Sequence, residues 1–341
     1  MTIDITRRVL VGAASIAVLA GAAFGALGTA AYSAEKITLR LSSPASPTDQ
    51  RAVALTEIFA PMVADFADFQ GNWNASLFKQ GTELEAISRG NLDMSIASAQ
   101  ELAEFFPEFS IFTAGYVHQD AAHQVKVFND PLMDPFKKKV EDELGVKLLT
   151  VMYLGRRHVN LRYARSERDV KTPADLAGIN LRMPPSDAWQ FLGRALGAAP
   201  TPMAFTEIYT ALQTGAVDGQ DNPLPTVKDA KFYEVTKQIV LTSHLVDLNY
   251  LALSKKVWDS LTPEQQAKVQ EAADAAAESA RQKQLKLEED LVAFLTQQGL
   301  DVYEPNLAAF REGVQKAYLN SDLSKAWPAG VLEKINSLGA K

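Results

Sequence analysis

The sequence of 341 residues contains no cysteine and only four histidines. The absence of cysteine excludes disulfides, thiolate metal sites, thiol nucleophiles and a lipidated N-terminal cysteine. The histidines are His118, His123, His158 and His244, and none has the spacing of a zinc-binding helix. We therefore predict no metal site.

Glycine-rich and nucleophile motifs are also missing. No two glycines stand two residues apart, no Gly-Lys-Ser/Thr occurs, and there is no Gly-x-Ser-x-Gly. These absences argue against a dinucleotide fold, a phosphate-binding loop and a hydrolase nucleophile elbow. The sequence thus predicts no catalytic residue, no cofactor and no enzyme activity. A net charge of -7 argues against a nucleic-acid partner.

The N-terminus has the layout of a secretory signal. Arg7 and Arg8 precede an uncharged stretch, Val9–Ala31, and small residues follow in Ala31-Tyr32-Ser33. A transmembrane anchor is the alternative, although the Ala and Gly that dominate the stretch insert weakly. We predict a signal peptide over residues 1–33, cleaved near residue 33, and a periplasmic protein exported by the Sec or the twin-arginine route.

Beyond the signal, predicted strands alternate with predicted helices, which indicates an α/β fold. The strands are Lys36–Leu41, Leu92–Ala97, Lys147–Tyr153, Val159–Ala164 and Ile179–Met183, and the helices include Arg51–Phe66, one that begins at Ser186 and one from Thr206 to Gly215. After the capping box at Thr262, Glu264–Gln298 contains neither Gly nor Pro and predicts one helix of 35 residues. A helix of about 50 Å favours a spine shared by two lobes.

Two arginines stand within short predicted strands. Arg162 lies in Val159–Ala164, and Arg182 comes just before Pro184-Pro185. A guanidinium can bind a carboxylate with two parallel hydrogen bonds, which makes these residues candidates for anion binding. A structural ion pair with an acidic neighbour is the alternative.

A longer pattern carries a family resemblance. The segments LRMP at 181–184 and APTPMAFTEIYTALQTGAVDGQDNP at 199–223 closely resemble the solute-binding proteins of tripartite ATP-independent periplasmic (TRAP) transporters, which include C4-dicarboxylate and sialic-acid binders. The resemblance implies a two-lobed periplasmic-binding-protein clamshell with a long helix spanning both lobes. It also implies that Arg182 holds a ligand carboxylate, with Arg162, Asn222 and Phe205 assisting.

Four further residues complete the expected site. Ser98 or Gln100 would contact the ligand from the other lobe, whereas Trp189 and Tyr250, the latter with its neighbour Asn249, are candidates for the cleft with a place in the core or on the surface as the alternative. We expect lobe I to comprise residues 34–158 and 248–286, and lobe II to comprise residues 159–247 and 287–341.

The expected ligand is a small organic acid anion, and the expected partners are the TRAP membrane permease subunits, with the binding protein itself a monomer. Dicarboxylates, sugar acids, hydroxy or keto acids and sulfonates all remain open as ligands. The alternatives are a binding protein that serves a sensor kinase, an ABC-type binding protein and a secreted enzyme acting on an organic acid.

Overall fold

The computed structural model describes residues 36–339, so the predicted signal peptide lies outside the described residues. This part of the chain forms a mixed α/β fold around one sheet in the order β2-β1-β3-β8-β4-β7-β5-β6, with β9 also paired to β8. The strands are β1 Ile37–Ser42, β2 Ala67–Asn72, β3 Met94–Ser98, β4 Val146–Leu161, β5 Asn180–Met183, β6 Ala199–Pro202, β7 Gly219–Asn222, β8 Gln238–Ser254 and β9 Asp301–Tyr303.

Two long strands connect the two ends of this sheet. We call β1, β2 and β3 the first half-sheet, and β5, β6 and β7 the second half-sheet. β3 pairs with the last residues of β8, from Ser98 opposite Asn249 to Met94 opposite Leu253. β7 pairs with the last residues of β4, where His158 lies opposite Asn222. Because β4 and β8 also pair with each other along most of their length, the chain passes twice between the half-sheets.

Helices cover the sheet and supply the remaining contacts. They are α1 Gln50–Ala54, α2 Ala60–Val63, α3 Glu83–Ser88, α4 Ala99–Ala103, α5 Ala121–Asn129, α6 Asp134–Lys139, α7 Asp187–Ala195, α8 Ile208–Thr214, α9 Leu224–Asp229, α10 Lys255–Ser260, α11 Pro263–Gln297, α12 Leu307–Leu319, α13 Asp322–Lys325 and α14 Val331–Gly339. A π-helical turn, Leu55–Phe59, joins α1 to α2, so the predicted helix Arg51–Phe66 is present with an irregular centre.

The predicted 35-residue helix is confirmed as α11, which begins after the N-cap Thr262 with both hydrogen bonds of a capping box. Its first half packs alanines, among them Ala272 and Ala276, into a core with Leu39 and Phe59 beside the first half-sheet. Its second half places apolar side chains in a different core: Leu291 and Leu295 with Ile208, Leu212 and Phe232. One helix therefore supports both ends of the sheet.

Two predictions about elements are corrected, and one long strand was not predicted. Lys147–Tyr153 and Val159–Ala164 are one strand, β4, because the Arg156-Arg157 segment between them also pairs with β8. Strand β8, which is buried along nearly its whole length, was not predicted at all. The helix predicted from Thr206 begins at Ile208 instead, because Thr206 lies within a short 3₁₀ turn, Phe205–Glu207, that precedes α8.

Within residues 36–339, no helix combines the length and the apolar character needed to cross a membrane. The same residues contain no cluster of three or more histidine or acidic side chains arranged to hold a metal ion.

Candidate functional site

A cavity opens between the two half-sheets, and both contribute to its walls. Its empty space, including the part open to solvent, is about 730 Å³. The lining residues are Ser43, Pro44, Ala45, Ser46, Asp49, Arg51, Gln80, Ile96, Ser98, Glu101, Leu154, Arg157, Arg182, Pro184, Trp189, Phe205, Asn222, Thr226, Asp229, Ala230, Asp247 and Asn249.

Arg182 lies in this cavity as a buried cation, with only 1% of its surface exposed. Strand β5 places it there, and its Nε donates a 2.8 Å hydrogen bond to the carbonyl oxygen of Met203. Ion pairs in the described part of the chain neutralise the other two cavity arginines, but none involves Arg182. Burial lowers the pKa of Arg182 to about 9, so the group is charged at neutral pH. A buried charge without a partner is costly, and an anionic ligand would relieve that cost.

Arg157 is the second guanidinium of the cavity, on strand β4. Its Nε donates to Asp247 Oδ2 at 2.8 Å, and its Nη1 lies 3.0 Å from Asp221 Oδ1. Burial opposes its charge, yet the two carboxylates raise its pKa above the ordinary value. The indole of Trp189 covers one face of this guanidinium, with the ring centroid 4.4 Å from Cζ. Arg157 is thus fixed in place on several sides.

Five predicted site residues line the cavity: Arg182, Asn222, Phe205, Ser98 and Trp189. Asn222 ends strand β7 and is 2% exposed, and Ser98 ends β3 and caps α4. Trp189 belongs to the first turns of α7, whose N-cap is Ser186 as predicted. Residues distant in sequence therefore meet because β3, β5 and β7 end at the same cavity.

The structure does not bring Arg162 to the cavity. Strand β4 ends at Leu161, and the backbone N–H of Arg162 donates to the carbonyl oxygen of Asp218. Its guanidinium lies beside Gly215, at the end of α8. Five residues along a strand span about 16 Å, so Arg157, rather than Arg162, lies beside Arg182 in the cavity.

Gln100 and Tyr250 also lie outside the cavity lining. Gln100 is buried just inside α4, and neither polar atom of its side chain has a hydrogen-bond partner among the described residues. Tyr250 packs in the core against Phe109 and Phe128. Its neighbour Asn249 lines the cavity instead, because successive residues of a strand face opposite sides of a sheet.

Acidic and amide side chains occupy the wall on the side of the first half-sheet. The guanidinium of Arg51 pairs with Asp49 at 2.8 Å and also donates to the side-chain oxygen of Asn249. Glu101 Oε2 accepts a 2.8 Å hydrogen bond from the backbone N–H of Ser98, and burial raises the pKa of Glu101. Such oxygens are suited to accept hydrogen bonds from ligand hydroxyls.

Glu83 lies behind this wall, 4% exposed. Burial, together with the neighbouring charge of Glu101, raises the pKa of Glu83 to about 8. Its Oε2 accepts a hydrogen bond from the backbone N–H of Gly81, whereas Oε1 has no partner among residues 36–339. We conclude that Glu83 is largely protonated at neutral pH.

Sequence reasoning missed Arg51, Gln80, Arg157 and Asp247. A weak signal existed for Arg157, since two adjacent arginines after a predicted strand are unusual for a buried segment. A clearer signal existed for Asp247, because it alternates with Asn249 in the apolar run 245–253, and such alternation indicates a strand with one polar face.

Comparison with known proteins identifies the fold and the family. The model of the family described as bacterial extracellular solute-binding protein, family 7, matches residues 43–323. The sialic acid-binding periplasmic protein of Vibrio cholerae is 31% identical over 255 residues, which is 75% of this chain and 78% of that protein.

Solved structures extend the similarity. A TRAP periplasmic solute-binding protein from Roseobacter denitrificans, crystallised with bound 3-deoxy-D-manno-oct-2-ulosonic acid (KDO), is 71% identical with a TM-score of 0.89, and the match covers 89% of this chain and all of that one. Another from the same organism, with bound L-galactonate, is 26% identical with a TM-score of 0.79 over 89% of this chain and 99% of that one. This chain therefore belongs to the family 7 extracellular solute-binding proteins, the periplasmic binding proteins of TRAP transporters.

Proposed function

We propose that this protein binds a 3-deoxy-2-ulosonic acid of the KDO class and delivers it to a TRAP membrane permease. The observation that carries the proposal is Arg182, a buried cation in the cavity that no carboxylate of the described residues neutralises. The 71% identical relative with bound KDO supports the choice among organic acids.

The ligand carboxylate pairs with Arg182, beside which Arg157 is held by Asp221 and Asp247. Charge-assisted hydrogen bonds of this kind are stronger where water is excluded. The ring and chain hydroxyls of the acid then meet Ser98, Glu101 and Asn249 on the side of the first half-sheet. No step of this scheme changes the ligand chemically.

The protein captures and releases its ligand by movement of two lobes. We propose that lobe I comprises residues 34–158 and 248–286, that lobe II comprises residues 159–247 and 287–341, and that the lobes close on the ligand as a monomer. A ligand favours the closed form only through contacts with both sides, and this cavity offers such contacts. We also propose that residues 1–33 direct export and are removed.

Isothermal titration calorimetry tests the ligand assignment. The protein is recovered from the periplasm of an expressing bacterium, freed of bound ligand by unfolding and refolding, and titrated with KDO, L-galactonate, sialic acid and the methyl ester of KDO. We expect the tightest binding for KDO and at least a hundredfold weaker binding for the uncharged ester, because Arg182 then loses its anion. Equal affinity for acid and ester would overturn the role of the carboxylate, and tighter binding of another acid would overturn the choice of KDO.

A further inference from the structure

Gln80 lies where the cavity meets a second cavity beside it. The segment between β2 and α3 carries this residue. Pro44, Gln80 and Phe205 line both cavities, and the remaining lining of the second one includes the exposed side chains of Lys79 and Glu207. The three shared residues therefore form the wall between the ligand cavity and a region open to solvent.

The side-chain oxygen of Gln80 contacts two groups on the opposite side of the cleft. It accepts a 2.8 Å hydrogen bond from the backbone N–H of Phe205 and a longer one, 3.4 Å, from Nη2 of Arg182. Gln80 belongs to the chain that leads into β3, whereas Arg182 is in β5 and Phe205 follows β6. One amide oxygen thus joins the first half-sheet to the cationic anchor of the second.

We infer that Gln80 positions Arg182 for the ligand carboxylate and holds the cavity closed behind it. The inference rests on the proposed function and adds a residue that determines how long the acid stays bound. A neutral amide is suited to this task, because it orients the guanidinium without neutralising it. A carboxylate in the same place would pair with Arg182 and compete with the ligand.

A second contact across the cleft provides a matched comparison. The side-chain Oε1 of Glu104, just after α4, accepts a 2.8 Å hydrogen bond from the backbone N–H of Asp187 at the start of α7. Both residues are exposed and lie outside the cavity lining. Glu104→Ala therefore removes a hydrogen bond between the two sides without touching Arg182.

The experiment compares Gln80→Ala, Gln80→Glu and Glu104→Ala with the wild-type protein. KDO affinity is measured by calorimetry, and its release rate by the stopped-flow change in tryptophan fluorescence. We expect Gln80→Ala to weaken binding about tenfold, mainly through faster release, as for the loss of one hydrogen bond to a charged group. Gln80→Glu should weaken binding about a hundredfold although it keeps an acceptor for Phe205, and Glu104→Ala should stay within about threefold of the wild type.

The relative KDO affinities of the variants test the inference. A wild-type affinity for Gln80→Glu would show that Gln80 only fills space or only holds Phe205, and equal effects of Gln80→Ala and Glu104→Ala would show a general latch. Either result overturns the positioning role while the proposed function stands. Failure of the wild-type protein to bind any acid would instead overturn the proposed function. Thermal melting of each variant confirms that it is folded, as the partial exposure of Gln80 leads us to expect.

Discussion

The three arginines of the cavity differ in what already neutralises them. Arg51 is paired with Asp49, and Arg157 with Asp221 and Asp247. The charges of Arg51 and Arg157 are thus already paired within the protein, so these two residues shape the cavity more than they attract an anion. Arg182 is the cavity arginine that forms no ion pair among the described residues, so its guanidinium is open to a ligand anion although the net charge of the protein is -7.

Arg182→Lys tests this assignment with the positive charge retained. A lysine cannot donate to Met203 and also form two parallel hydrogen bonds with a carboxylate, so we expect KDO affinity to fall at least a hundredfold. Arg162→Lys is the matched control, because Arg162 lies outside the cavity lining and its replacement should leave the affinity unchanged. Calorimetry measures both, and a near-normal affinity for Arg182→Lys would contradict the assignment.

Glu83 predicts a pH dependence of stability. Its pKa is about 8 in the folded protein and ordinary in the unfolded chain, so folding takes up a proton between these values. The stability that the neutral carboxyl provides is complete below the unfolded pKa and is lost as the pH rises through about 8. Glu83→Gln should therefore melt about 5 °C higher than the wild type at pH 9 and at nearly the same temperature at pH 5.

Differential scanning calorimetry at the two pH values checks this prediction. Glu85→Gln, an exposed neighbour on the same helix, serves as the control and should show no such pH-dependent difference. An equal melting-temperature gain for Glu83→Gln at both pH values would show that burial of the Glu83 charge is not the cause.

Part of the candidate site could be predicted from the sequence, because a family pattern contains some of its residues. Arg182, Asn222 and Phe205 were found through the family pattern, and the structure places all three in the cavity lining. Arg162 was chosen because it lies within the predicted strand Val159–Ala164 and at the spacing from Arg182 that the family resemblance implies, whereas neither predicted strand included Arg157. Pairing with β8, which no local pattern reveals, extends β4 back through Arg157.

At the scale of elements, the passage of β4 between the half-sheets is irregular at Gly155. The register with β8 shifts between Tyr153 and Gly155, and Glu288 of α11 accepts hydrogen bonds from the Tyr153 hydroxyl and from the Arg156 N–H. Gly155 has φ +132°, and a Cβ there would lie 2.6 Å from Cβ of Pro223. The long helix α11 is therefore hydrogen-bonded to β4 at the point where the register of β4 with β8 shifts.

Gly155→Ala should destabilise the protein by about 3 kcal/mol, because it adds both backbone strain and a clash. Gly145→Ala is the matched control: Gly145 also has a positive φ, +68°, but no atom lies within 4 Å of its added Cβ. We expect about 1 kcal/mol for that variant. Urea unfolding measures both, and equal losses would show that crowding at Gly155 is unimportant.

Elements with strong local signals were predicted well. The helix α11 was placed to within one residue because its capping box, its length without Gly or Pro and its alanines all agree. The strands β6 and β7 were missed because each has four residues and neither contains a β-branched aliphatic or aromatic side chain. Such segments become strands only through their neighbours in the sheet.

At the scale of the whole molecule, α11 joins two cores that would otherwise be separate. We therefore expect one cooperative thermal transition, which KDO shifts as a whole. At a hundredfold excess over its dissociation constant the ligand adds about 2.7 kcal/mol, or about 5 °C for a chain of this size. Scanning calorimetry with and without KDO measures the shift, and two transitions of which only one responds would contradict the shared support.

The order of the strands also determines when the chain can fold. Strand β3 completes its pairing with β8, about 150 residues further along the chain, and β4 needs the same partner. During synthesis, the first half-sheet cannot be joined to β4 and the second half-sheet until β8 has been made, up to residue 254, and the helix that supports both ends of the sheet follows later still. Assembly of the whole sheet is therefore postponed until most of the polypeptide exists, which suits a member of a family that must cross a membrane before it works.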